Sequence, residues 1–115
     1  MTSIRLGRRS VFLKSIIRVE ADCNYSKFHI RGDRFPIMTS MTLKTVEKML
    51  PGFIRISKHN LISPRYLKAW IARSGIGMAF LTTGEELPIS RRRVKDCTRR
   101  FLELTDRSKV LIERR

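Results

Sequence analysis

FIRISKHNLIS, residues 53 to 63, decides how this chain is read. Phe53-Ile54-Arg55-Ile56 alternates with period two, the repeat of a strand whose neighbouring side chains take opposite faces. Four hydrogen-bonding side chains follow without interruption, Ser57-Lys58-His59-Asn60, before apolar residues resume at Leu61 and Ile62. A buried strand that ends in a polar, charged tip accounts for that order of residues. Leu61-Ile62-Ser63-Pro64 then reads as a turn or one helical turn closed by proline. A second tip of the same kind lies at LPISRRR, residues 87 to 93, where Glu86 to Ile89 reads as a strand and Ser90-Arg91-Arg92-Arg93 opens a helix. The N–H groups and positive potential of a helix start favour phosphate, and basic side chains there reinforce that preference.

The segments on either side also read mostly as strands. Val11 to Glu20 is rich in β-branched residues, Asp22 to Ser26 are turn-formers, and Lys27 to Arg31 alternates again, which predicts a hairpin. Phe35 to Met38 predicts a third short strand. Leu43, Val46 and either Met49 or Leu50 share one helical face, with Ser40 or Thr42 as cap and Pro51-Gly52 as stop. Tyr66 to Ala72 alternates, with Leu67, Ala69 and Ile71 on one face and Tyr66, Lys68 and Trp70 on the other. Met78 to Leu81 and Glu86 to Ile89 complete an antiparallel meander. Val94, Cys97, Phe101 and Leu104 form the apolar stripe of a last helix capped by Ser90. The expected fold is mainly β, with two or three short helices, over one domain at 11–104. Residues 1–10 read as a basic, aperiodic arm, and residues 105–115 as a basic tail whose Val110, Leu111 and Ile112 fit either a longer helix or a further strand.

With 115 residues the chain builds one modest core, and 25 basic against 10 acidic residues give a formal charge of +15. Such a surplus is a statement about negatively charged partners, nucleic acid first. It is uneven: residues 87 to 115 hold ten Lys or Arg against four Asp or Glu. An anionic membrane would attract the same charge, but helices that lie on membranes pair a basic face with a broad apolar one. There is no run of 18 apolar residues, and MTSIRLGRRSVFLK lacks the features of a signal peptide, so a cytoplasmic location is expected. Cys23 and Cys97 stand far apart without a CxxC spacing and read as half-buried thiols, not metal ligands. His29 falls in a strand and His59 in a tip, neither at suggestive spacing from a carboxylate, and no glycine-rich phosphate loop, HExxH or GxSxG is present. Catalytic residues, metal and cofactor are therefore not expected.

Four segments, IIRVEADCNYSKFHI (16 to 30), SMTLKTVEKML (40 to 50), FIRISKHNLIS and LPISRRR, follow one another in an order and spacing that resembles the LytTR family of bacterial DNA-binding domains, over roughly residues 11 to 103. The resemblance implies an elongated, all-antiparallel β fold whose loops, not a recognition helix, enter two successive major grooves while the duplex bends. Carried onto this chain, it implies base contacts from Ser26 and Lys27 in the loop after the first strand, Lys58 in the 53–63 tip and Arg91 at the start of the last helix. Arg pairs bidentately with guanine, while Lys58 donates to guanine or to phosphate. Arg55, Ser57, His59, Asn60, Arg92, Arg93 and Lys95 are the expected phosphate contacts. Relatives commonly read His-Lys-Ser and an aromatic where this chain has Ser57-Lys58-His59-Asn60, and Asn where it has Ser63, so its base preference is expected to be its own. Family members usually carry a receiver or membrane-spanning segment ahead of the domain, and here residues 1–10 precede it. The implied protein is a stand-alone transcription regulator, with duplex DNA, a second copy of itself on repeated half-sites, and a separate regulatory or membrane protein as partners. Two other readings compete. A basic RNA-binding or ribosome-associated domain would stack bases on Tyr25, Tyr66 and Trp70. A protein-interaction module would use the surface around Trp70 and Phe80.

Overall fold

Adjacent apolar residues such as Phe53-Ile54 and Leu61-Ile62 need a core on each face of their strand, and the fold supplies both. The computed structural model describes residues 2–104; the expectations for the tail 105–115 lie outside them. In chain order the elements are β1 (Ser3–Leu6), β2 (Arg9–Phe12), β3 (Ile16–Asp22), β4 (Tyr25–Ile30), β5 (Ile37–Thr39), α1 (Leu43–Met49), β6 (Ile54–Arg55), β7 (Asn60–Ile62), β8 (Leu67–Arg73), β9 (Ile76–Leu81), β10 (Glu86–Ile89) and α2 (Val94–Leu104). Every strand pair is antiparallel: β1 with β2, a five-stranded sheet ordered β5-β4-β3-β7-β6, and a three-stranded sheet ordered β10-β9-β8.

The five-stranded sheet separates the two cores. On one side Val19, Phe28, Phe53 and Leu61 pack with Leu43 and Val46 of α1 and with Ile4, Leu6 and Val11 of the first hairpin. On the other, Ile54, Ile56 and Ile62 pack with Leu67, Trp70, Ala79 and Leu81 of the three-stranded sheet and with Val94, Cys97 and Phe101 of α2. The rings of Trp70 and Phe101 meet at 4.9 Å between centroids. Thr42 is the cap of α1, its hydroxyl accepting from the Thr45 amide at 3.3 Å. The stacked layers give extents of 48 × 28 × 25 Å, the elongated, mainly β fold that the resemblance implied, with two α-helices among the described residues. No helix among the described residues is long and apolar enough to cross a membrane.

Several expectations are corrected. Residues 3–12 form a hairpin, not an aperiodic arm. Ile4 pairs with Val11 and Leu6 with Arg9, the chain turns at Gly7 with φ of 64°, and Ile4, Leu6 and Val11 are buried while Arg5, Arg8 and Arg9 face water. Residues 61 and 62 belong to β7, and the helical turn comes later, at Pro64–Tyr66. In β8 the register shifts between Leu67 and Ala69, which turns the side chains beyond it over. Trp70 is therefore fully buried, not on the outer face with Lys68, and Ile71 lies outward. Tyr66 is also buried, its hydroxyl donating to the Lys14 carbonyl. At the end of α2 the stripe stops at Phe101, and Leu104 is exposed.

Candidate nucleic-acid interface

Three segments far apart in sequence, two of them basic, are drawn together by backbone hydrogen bonds. The first is the turn between β3 and β4, around Cys23, which adopts φ of 56°. The second, residues 57–60, is tied to the first by the Ala21 amide, which donates to the His59 carbonyl at 2.8 Å. The third begins where the Ser90 amide donates to the Ile56 carbonyl at 2.8 Å, one residue before the second segment starts. Ile56 itself donates to the Asn60 carbonyl at 3.1 Å, so the 57–60 tip closes on its own base.

Inside that tip, some side chains build the loop and others are presented by it. The Ser57 hydroxyl accepts from the amides of His59 and Asn60, each at 3.1 Å, and is buried. Arg55 reaches back along the loop, donating to the carbonyls of Ser57 at 2.6 Å and Lys58 at 3.3 Å, and to Glu47 of α1 at 2.8 Å. Asn60 is buried and accepts from Arg18 at 2.8 Å. Of the five residues the sequence singled out here, Lys58 and His59 face solvent. Arg55, Ser57 and Asn60 are engaged within the tip and brace it.

At the first segment, Ser26 is fully buried, with its hydroxyl donating to the Met41 carbonyl at 2.7 Å. It is not at the surface where a base contact would need it. Lys27 is half-buried with its Nζ 3.3 Å from Asp22. At the third segment, Arg91, Arg92 and Lys95 are exposed, whereas Arg93 is half-buried and its Nε is enclosed without a hydrogen-bond partner. Ser90 caps this turn by position, without a side-chain hydrogen bond. The two cysteines are free, Cys23 exposed and Cys97 buried. Burial and the neighbouring Asp96 push the Cys97 thiol up to about 11, and its Sγ donates to the Arg55 carbonyl at 3.3 Å, fastening α2 to β6.

Sequence reasoning missed Arg18. This guanidinium is 8% exposed and donates to Glu85 at 2.7 Å and to Asn60 at 2.8 Å, with Glu20 at 3.5 Å. Glu20 in turn accepts from His29 at 2.9 Å. One buried cation thus joins the turn after β9 to the base of the 57–60 tip. The hydrogen bond from Arg18 holds the Glu85 carboxyl below its ordinary range against the opposing effect of burial. Burial pushes Glu20 up, but the His29 hydrogen bond and the Arg18 charge outweigh it and the net shift is downward. The signal that could have found the network is a lone arginine within Ile16-Ile17-Arg18-Val19, a run otherwise apolar on both faces.

An antiparallel β domain with a formal charge of +15 and basic side chains exposed at the 57–60 tip and before α2 fits the class of nucleic-acid-binding modules. The chain belongs to the LytTr DNA-binding domain family, whose model matches residues 7–101. Among solved structures it is similar to the LytTr DNA-binding domain of a Bacillus cereus protein described as a methyl-accepting/DNA response regulator, with a TM-score of 0.69, 16% identity, and 87% of this chain and 94% of that one covered. At that identity the likeness concerns the fold. No curated protein matches.

Proposed function

We infer that this domain binds duplex DNA sequence-specifically, as two copies on repeated half-sites, and serves transcription regulation. The observation that carries the reading is the convergence of two basic segments with the β3–β4 turn through the Ala21–His59 and Ser90–Ile56 hydrogen bonds. Lys27, Lys58 and Arg91 are the base-reading side chains in this proposal, and His59, Arg92 and Lys95 meet phosphates. Loop entry into successive major grooves suits the arrangement, since the tips are braced from behind by Arg55 and Arg18 and lose little conformational entropy on docking. The solved relative is described as a DNA response regulator, and transcription control is the corresponding role here.

RNA recognition by base stacking has lost its platform, because Tyr66 and Trp70 are buried; Tyr25, 50% exposed, is the candidate left at the surface. Selection of bound sequences from random duplex DNA tests the proposal. The expected result is a pair of short repeats about one helical turn, roughly 10 base pairs, apart. Absence of an enriched sequence, or tighter binding to single-stranded RNA at the same salt concentration, would overturn it.

A further inference from the structure

The hairpin of β1 and β2 turns at Gly7, the chain after β4 turns at Gly32, and an ion pair ties the two turns together. Arg9 donates to both oxygens of Asp33, at 2.7 and 3.3 Å. Beside that pair stand Arg5, Arg8, Arg31 and Arg34, all exposed and none with a carboxylate partner among the described residues. Asp33 is the one acidic residue in 1–19 and in 29–46. A Cβ built on Gly7 or on Gly32 would meet no atom within 4 Å, so both turns open onto solvent. Phe35, 75% exposed, follows Arg34 directly.

This cluster lies at the far end of β3 from the DNA tips. β3 pairs with β4 from Ile16 and Ile30 at one end to Asp22 and Tyr25 at the other, and Arg31 leaves the sheet at the first end. The Ala21–His59 hydrogen bond fixes the 57–60 tip at the second, roughly 20 Å away along the seven residues of the strand. All five cations are arginine, whose planar fork pairs with a carboxylate through two parallel hydrogen bonds, and Asp33 already engages Arg9 in that way. The four remaining guanidinium groups are mutually unfavourable, and carboxylates brought by a partner relieve that repulsion. Arginine beside an exposed aromatic is also a composition enriched in protein interfaces. An anionic membrane fits less well, because a single phenylalanine offers it no broad apolar face. We propose that the two turns form a docking surface for an acidic segment of another protein, whose carboxylates pair with Arg8, Arg31 and Arg34 and whose apolar side chain covers Phe35. The surface goes beyond the DNA-binding reading and does not depend on it.

The probe is a labelled synthetic peptide of glutamates flanking one phenylalanine, added at one fixed salt concentration to the full chain, both free and bound to a duplex of random sequence. Saturable binding to both forms is expected. Arg31→Gln with Arg34→Gln is expected to weaken it about tenfold through lost charge-assisted hydrogen bonds, and Arg31→Lys with Arg34→Lys to recover only part of the loss. Lys44→Gln with Lys48→Gln removes the same charge from the exposed side of α1 and is expected to leave peptide binding unchanged. Phe35→Ser, which alters no charge, should weaken the peptide and not the duplex, with circular dichroism confirming the fold of every variant. No binding of the peptide, or equal losses in the arginine and lysine pairs, would overturn the docking surface. Release of the duplex by the arginine pair would make the cluster a DNA-backbone contact instead. Binding to phosphatidylglycerol vesicles that depends on the same arginines and exceeds binding to the peptide would make it a membrane contact. A chain that binds no duplex would overturn the DNA-binding reading, while the peptide arm on the free chain still decides this one.

Discussion

Arg55 at the end of β6 and Lys58 in the loop that follows are three residues apart and both basic, yet the structure gives them opposite work. Arg55 donates to two carbonyls of the loop and to Glu47, whereas Lys58 extends into solvent. Lys58→Ala is therefore expected to leave stability within about 0.5 kcal/mol of the parent and to weaken specific DNA binding. Arg55→Ala is expected to lower stability by about 2 kcal/mol, because hydrogen bonds from a charged donor are lost and loop carbonyls are left without it. Urea midpoints beside binding isotherms separate the two effects; equal stability losses would refute the division of labour. Arg91→Ala is expected to cost about 1 to 3 kcal/mol at a specific site and to relax preference at one base position. A uniform loss across all duplexes would instead make Arg91 a phosphate contact. The sequence could locate the tips because their polarity interrupts apolar strands. It could not say which polar residues face inward, since Ser57, Asn60 and Ser26 look as available in the sequence as Lys58 does. Their burial is decided by partners distant in the chain, Met41 for Ser26 and Arg18 for Asn60.

The elements themselves were legible where periodicity was undisturbed. The hairpin of β3 and β4, α1 with its cap at one of the two residues expected, Thr42 and not Ser40, and the strand β10 leading toward α2 follow from alternation, capping and stop signals. Elsewhere elements were misread, for different reasons. In β1 the alternation of Ile4 and Leu6 about Arg5, followed by Gly7, was present but outweighed by the density of arginines. In β8 a local register shift turned the outward face into the inward one beyond it, and a bulge has no reliable mark in sequence. The same sheet contains a tight approach that can be tested. A Cβ on Gly77 of β9 would stand 2.9 Å from Val94 Cγ2 and 3.0 Å from Ile89 Cβ. Gly77→Ala is expected to force β9 away from α2 and from Ile89 of β10 and to destabilise the domain by about 1 to 3 kcal/mol, read as a lowered urea midpoint. If the midpoint stays unchanged, the packing of α2 on this sheet is looser than the distances indicate.

At the scale of the whole molecule, two cores on opposite faces of one sheet must stay in register for three separate segments to converge. Apolar packing on the second face brings the three-stranded sheet to the five-stranded one, and Arg18 adds a directional link by holding Glu85 and Asn60 together. The link has a pH dependence whose sign follows from its carboxylates. Glu85 and, on balance, Glu20 lie below their ordinary value of 4.5 in the folded protein. Their contribution is therefore complete above that value and is lost as pH falls through the lower, folded values. Stability should be flat in this respect from neutral pH down to the unfolded carboxylate range and should fall below it. Glu85→Gln retains an acceptor but not the charge, so it is expected to be less stable at pH 7 and to show a shallower acid decline. Glu85 is partly exposed, with its side chain 37% accessible, so solvent screening limits the difference to roughly 1 kcal/mol at neutral pH. Urea midpoints measured from pH 7 to pH 3 check this. Parallel curves for parent and variant would show that apolar packing alone joins the sheets, while converging curves in acid would assign the join in part to the Arg18 network.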